Sequence, residues 1–203
     1  MRLSVLADEA LKAEFLQKNI PPSIEISWVA TLEELVSTPA DAYFDLLFVN
    51  EPSRIDILKK ALPSCIYINA VTDTLAEIDQ PFIRINAWPG FLNRSVLEIV
   101  SDEATGITIL DTLGWNYKIV PDVPGMIAPR VIAMIVNEAY FALGEEVSTK
   151  PEIDTAMKLG TNYPLGPFEW SKKIGLEKIA TLLTILSKTD ERYIPANALL
   201  NDL

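Results

Sequence analysis

The chain of 203 residues contains no histidine and a single cysteine. Without histidine, the commonest general acid–base group and the commonest zinc ligand are both missing. A Ser-His-Asp or Cys-His mechanism is excluded, and with Cys65 the only thiol no metal site is expected. A lone cysteine excludes an intrachain disulfide and fits a reducing, cytoplasmic setting. Cys65 lies in the apolar run Cys65-Ile66-Tyr67-Ile68 and reads as an inert core thiol. Long apolar runs are missing as well: the longest, Met126 to Leu143, is interrupted by Pro129, Arg130, Asn137 and Glu138. It falls short of the roughly 18 uninterrupted apolar residues of a membrane span, so no membrane partner is expected. The opening residues Met1 to Lys12 show no basic stretch followed by a long apolar core, so no secretory leader is expected.

Positive charge is scarce: 17 Lys and Arg stand against 28 Asp and Glu, for a net charge of −11. The imbalance sits early. Residues 1–122 carry 9 basic against 18 acidic side chains, and residues 123–203 carry 8 against 10. No basic stripe is available to neutralise phosphates, so nucleic acid is not an expected partner.

What is present in the first part alternates between strand and helix patterns. Arg2 to Ala7 is a short β-rich run, followed by helical spacing from Ala10 to Leu16. Ile24 to Val29 is a second strand candidate. Thr31-Leu32-Glu33-Glu34 has the form of a capping box and opens a short helix. Tyr43 to Val49 is a nearly continuous apolar run, as expected of a strand buried on both faces. Ile55 to Leu62 has helical period, and Ile66 to Val71 and Phe82 to Ile85 read as further strands. Strands alternating with helices argue for a parallel sheet with helical crossovers.

Sheets of this kind bind dinucleotides at the turn after the first strand, where glycines let the backbone approach a pyrophosphate. Here that turn reads Ala7-Asp8-Glu9-Ala10, and no glycine occurs before Gly90. Two carboxylates where a phosphate would dock, within an acidic field, lead to the expectation that no cofactor is bound.

From Pro121 the pattern changes to long helices. After the turn at Pro124-Gly125, residues 126–144 are apolar on most faces, with Pro129 tolerable only in the first turn. Thr149-Lys150-Pro151-Glu152 is a capping box opening a helix that Gly160 can close. Pro167 is placed to start a short helix, Phe168 to Lys173, and Leu176 to Leu186 forms a last apolar-striped helix.

The run Asp122-Val123-Pro124-Gly125-Met126-Ile127, followed by Arg130 and Asn137-Glu138-Ala139, resembles a motif of the 3-hydroxyacyl-CoA dehydrogenase family. So do Ile153-Asp154-Thr155-Ala156-Met157-Lys158-Leu159-Gly160, then Tyr163-Pro164-Leu165-Gly166-Pro167-Phe168-Glu169, then Gly175-Leu176. The resemblance implies an α/β fold in two parts. Residues 1–121 would form a reduced Rossmann-like parallel-sheet domain. Residues 122–203 would form an all-α helical domain of the 6-phosphogluconate-dehydrogenase C-terminal type, through which the family dimerises. A homodimer through that domain is therefore expected, and acyl-CoA is the implied ligand.

The resemblance extends backward. Ile68-Asn69-Ala70-Val71-Thr72 resembles a family segment that holds substrate, which marks Asn69 and Thr72 as substrate-binding candidates. Val96-Leu97-Glu98-Ile99-Val100 resembles the segment with the family's catalytic glutamate, here Glu98. The family's catalytic histidine lies twelve residues earlier, a position occupied by Asn86. Oxidising a 3-hydroxyl by hydride transfer needs a base for the hydroxyl proton, and asparagine cannot accept it. Other departures agree: Pro129-Arg130 replaces the family's Asn-Arg, and the segment that clamps CoA is missing before Tyr43. Three readings follow. The chain is a catalytically degenerate relative that keeps scaffold and dimer. Alternatively it is an active acyl-CoA oxidoreductase using Glu98 with Asn86, Asn69 and Thr72. Or it is an interaction partner of an intact dehydrogenase.

Overall fold

The computed structural model describes residues 1–101 and 104–203. The chain divides into two compact units, Met1–Met126 and Ile127–Leu203.

In the first unit, β1 (Arg2–Leu6), β2 (Glu25–Val29), β3 (Ala42–Asp45), β4 (Cys65–Ile68), β5 (Ile83–Ile85), β6 (Leu97–Val100) and β7 (Tyr117–Ile119) form one sheet. Its order is β2-β1-β3-β4-β5-β6-β7. The expected parallel arrangement holds from β2 to β5 and then changes: β6 pairs with β5 antiparallel, and β7 runs parallel to β6. Side chains alternate across each strand, which builds two cores. One face carries Val5, Phe44, Tyr67, Ile85 and Ile99 under α1 (Glu9–Leu16) and α5 (Ala104–Thr112). Phe44 and Tyr67 stack there, 4.3 Å apart at 6°. The other face carries Leu6, Tyr43, Ile66 and Ile68 under α2 (Leu32–Ser37), α3 (Pro52–Leu58) and α4 (Leu75–Ile78).

Local signals explain the helix starts. Thr31 accepts from the Glu34 N–H at 3.2 Å while Glu34 reaches back to the Thr31 N–H, forming the expected capping box. Thr74 and Glu77 repeat it at α4. The strand expected over Tyr43 to Val49 is shorter, ending at Asp45. Asp45 Oδ1 accepts the Leu47 N–H at 3.2 Å, an Asx-type turn that bends the chain out of the sheet.

The second unit is all helical: α6 (Ala128–Gly144), α7 (Lys150–Thr161), α8 (Pro167–Ile174), α9 (Leu176–Ser187) and the short α10 (Asn197–Leu200). Helix α6 packs against α8, α9 and α10, burying Ala133, Val136 and Tyr140. Pro129 sits in its first turn, where a missing N–H costs nothing. Helix α7 runs past Gly160 and ends at Asn162, which adopts the left-handed conformation at φ 54°. Asparagine tolerates that geometry, so the helix closes there rather than at Gly160. Among the described residues no helix is long and apolar enough to cross a membrane.

Candidate functional site

The carboxyl ends of β3, β4 and β5 meet the start of β6 along one edge of the sheet. Asn69, just past β4, clips the flanking strands together: its Nδ2 donates to the Leu46 and Ala87 carbonyls, both at 3.1 Å. Its Oδ1 accepts the Ala87 N–H at 3.0 Å. Both amide hydrogens are thereby committed to backbone.

The β5–β6 register, Arg84↔Val100 and Ile85↔Ile99, continues to Asn86 opposite Glu98. The Asn86 N–H donates to the Glu98 carbonyl at 3.0 Å. Residues opposite one another in an antiparallel pair project on the same face. Asn86 is 2% exposed, and its Oδ1 accepts the Trp88 N–H at 3.4 Å. Glu98 is half-buried. The two candidate residues Asn86 and Glu98 are therefore cross-strand neighbours. Thr72 lies farther along the loop after β4. Its hydroxyl donates to Asp73 at 3.0 Å, and Asn50 donates to the other oxygen of the same carboxylate at 3.1 Å.

Two buried charges at this edge were not anticipated from the sequence. Asp45 is fully buried and holds Arg54 in a two-pronged pair at 2.7 and 2.6 Å. Burial pushes its carboxyl above the usual range, and Arg54 only partly opposes that. Arg84 is fully buried on β5. Its Nε donates to the Ala70 carbonyl at 2.8 Å, its Nη2 to the Val71 and Val123 carbonyls at 3.3 Å, and its Nη1 to Asp122. Burial draws the guanidinium below its ordinary pKa, and Asp122 opposes this. Burial also raises the Asp122 carboxyl, but N–H donation from Leu75, the bond from Arg84 and N–H donation from Ala76 outweigh it, leaving it lowered. An arginine flanked by Ile83 and Ile85 in an apolar strand was the available signal.

At the turn after β1, the Asp8 carboxylate accepts the Leu11 N–H at 2.8 Å and caps α1. It takes the helix N-terminus that a pyrophosphate occupies at a glycine-rich turn, and it has the same sign of charge. That turn does not fit a pyrophosphate, so a dinucleotide would need contacts elsewhere.

In the helical unit the matched motif residues pack against one another. The buried Asp154 on α7 accepts the Phe168 N–H of α8 at 2.8 Å. A Cβ on Gly166 would lie 2.3–2.5 Å from Asp154 atoms, so only glycine allows this approach. Glu169 accepts from the Gly166 N–H at 2.8 Å and from Lys158 at 2.5 Å. The motif is a helix–helix joint. Beside it, α6 and α7 enclose a groove of about 550 Å³ lined by Arg130, Met134, Ile135, Met157 and Tyr193 among others.

Residues 125–203 match the model for the 3-hydroxyacyl-CoA dehydrogenase C-terminal domain. The chain is 42% identical over 102 residues to a 3-hydroxyadipyl-CoA dehydrogenase of Escherichia coli, covering 48% of this chain and 22% of that one. It is 33% identical over 137 residues to a 3-hydroxybutyryl-CoA dehydrogenase of Bradyrhizobium diazoefficiens, covering 62% and 47%. The matched stretches thus span less than half the length of these relatives. Among solved structures, an (S)-3-hydroxybutyryl-CoA dehydrogenase of Ralstonia eutropha shares the fold, with a TM-score of 0.72 at 19% identity over 98% of this chain and 92% of that one. A 3-hydroxybutyryl-CoA dehydrogenase of E. coli K12 aligns with a TM-score of 0.58 at 32% identity, over 67% of this chain and 31% of that one.

These matches correct the expectation that no cofactor belongs with this chain, because the family they define consists of NAD-dependent dehydrogenases. The glycine-free turn after β1 bears on one phosphate contact and not on the whole cofactor. By its helical motifs and these matches, residues 125–203 form a C-terminal domain of the 3-hydroxyacyl-CoA dehydrogenase family.

Proposed function

We propose that this chain keeps the scaffold of its family and has lost the dehydrogenase reaction at the proton-transfer step. One observation carries this: Asn86 stands opposite Glu98. Removing hydride from a 3-hydroxyl leaves a proton that a base must take as the carbonyl forms. A carboxamide oxygen is too weak a base to take it at neutral pH. A glutamate in this position orients an imidazole and stabilises its charged form, and beside Asn86 it has no imidazolium to stabilise.

The test is turnover by the purified chain supplied with NADH and acetoacetyl-CoA. No NADH consumption above the protein-free rate is expected. Steady turnover would overturn the proposal in favour of an oxidoreductase working on acyl-CoA through Glu98 with Asn86, Asn69 and Thr72.

A second reading concerns partners. Ile127 is 50% exposed and Val131 is 51% exposed, and Ile135 lines the adjoining groove. An apolar row of this kind, running from the residue before α6 along that helix, favours self-association through the helical unit, and by the same surface pairing with an intact family member. A single buried thiol suits a reducing cytoplasm. Sedimentation of the parent chain and of Ile135→Asp tests the interface: a dimer that persists unchanged in the variant excludes α6 as its seat.

A further inference from the structure

Arg84 serves two segments that are distant in sequence. Ala70 and Val71 belong to the loop after β4, which carries Thr72 and Asp73; Asp122 and Val123 follow β7. The guanidinium donates to carbonyls in both segments and pairs with the Asp122 carboxylate. The contacts interlock further. Gly125 N–H donates at 2.8 Å to the same Val71 carbonyl that accepts from Arg84 Nη2, and does so from φ 79°, a conformation suited to glycine. Asp122 also accepts the N–H groups of Leu75 at 3.0 Å and Ala76 at 3.2 Å, fixing the start of α4.

We propose that Arg84 makes the loop from Ala70 to Ala76 and the segment from Asp122 to Gly125 one cooperative strap, each ordered only while the other is docked. The physical reason is the position of the guanidinium. Arg84 is fully buried, so detaching either segment strands N–H donors of a cation away from water, and such donors are expensive to leave unmade. Neither segment can then open alone at low cost, and the two form one opening unit. Lysine cannot substitute: a compact ammonium with three donors does not span acceptors set around a planar fork. The strap links the loop bearing Thr72 and Asp73 to the segment through which the chain leaves the first unit. A contact made at either end is felt at the other, and the coupling is reciprocal.

Amide hydrogen exchange on the full chain, resolved by residue, tests it with two variants. Arg84→Lys acts from the buried side, and Asp122→Asn acts from the more exposed side without touching the core. In Arg84→Lys, the Leu75, Ala76 and Gly125 amides should exchange at least about tenfold faster together, while β1 and β3 amides keep their protection. In Asp122→Asn, the side chain at 122 bonds Leu75, Ala76 and Arg84 among the described residues, so the diagnostic amide is Gly125, which should accelerate to a similar degree. Acceleration at one end with the other unchanged, in either folded variant, overturns the proposal, as does no acceleration at all.

Discussion

Asn86 and Glu98 face each other across the antiparallel join of β5 and β6, with the Asn86 N–H donating to the Glu98 carbonyl at 3.0 Å. The backbone pairing sets both side chains on one face, so an imidazole introduced at position 86 would emerge beside the carboxylate. Asn86→His is therefore expected to bring NADH-dependent reduction of acetoacetyl-CoA to on the order of 100-fold above the protein-free rate, the low end of what a positioned acid–base group supplies. Adding Glu98→Gln to that variant should remove most of the gain. A well-folded Asn86→His chain as inactive as its parent would place the defect elsewhere.

The joint between α7 and α8 is the best place to test the packing of the motif that identifies the family. Gly166→Ala puts a methyl group against the Asp154 backbone and side chain. Overpacking at backbone contact should cost about 3 kcal/mol. Asp154→Ala removes the acceptor for the Phe168 N–H and should cost about 1 kcal/mol, as lost helix caps do. Denaturant unfolding followed by circular dichroism measures both. A larger loss for Asp154→Ala than for Gly166→Ala would contradict this account.

Asn137 is 1% exposed within α6 and holds the extended segment before α10. Its Nδ2 donates to the Ile194 carbonyl at 2.9 Å, and its Oδ1 accepts the Ala196 N–H at 2.8 Å. Asn137→Leu keeps the branched shape and strands both backbone groups, so a loss of about 2–4 kcal/mol is expected. Amide exchange at Ala196 should quicken in the variant; protection equal to the parent's would show that another acceptor takes its place.

Asp45 and Arg54 give a pH dependence of defined sign. Burial raises the Asp45 carboxyl, and Arg54 opposes the rise. Arg54→Met removes that opposition, so the folded carboxyl moves further up. The folded chain then holds the proton to higher pH than the unfolded chain, whose aspartate titrates near pH ~3.9. Stability accordingly falls as pH rises from that value through the raised folded one. Relative to the parent, the variant should lose about 3 kcal/mol at neutral pH, with the deficit shrinking on acidification toward pH ~4. A deficit that stays constant with pH would mean Asp45 is not its source.

Much of the architecture is written locally in the sequence. The capping box at Thr31 and Glu34, the one at Thr149 and Glu152, and the alternation of short strands with helices each specify structure through neighbours a few residues apart. The helical motifs are legible for a related reason: Asp154 and Gly166 are needed in kind, because one caps a helix and the other admits close backbone approach. The β5–β6 reversal, the early end of β3 at Asp45, and the segments α5, β7 and α10 were not anticipated. The site was half legible. Spacing matched Asn86 to Glu98, but only the register showed them to be cross-strand neighbours. Only the fold revealed that Asn69 is committed to backbone groups and that Arg84 is buried among four acceptors. Hydrophobic period and capping act over one or two turns of chain, so sequence determines them directly. Strand direction and the fate of a buried charge depend on partners tens of residues away, and those exist only once the chain has folded.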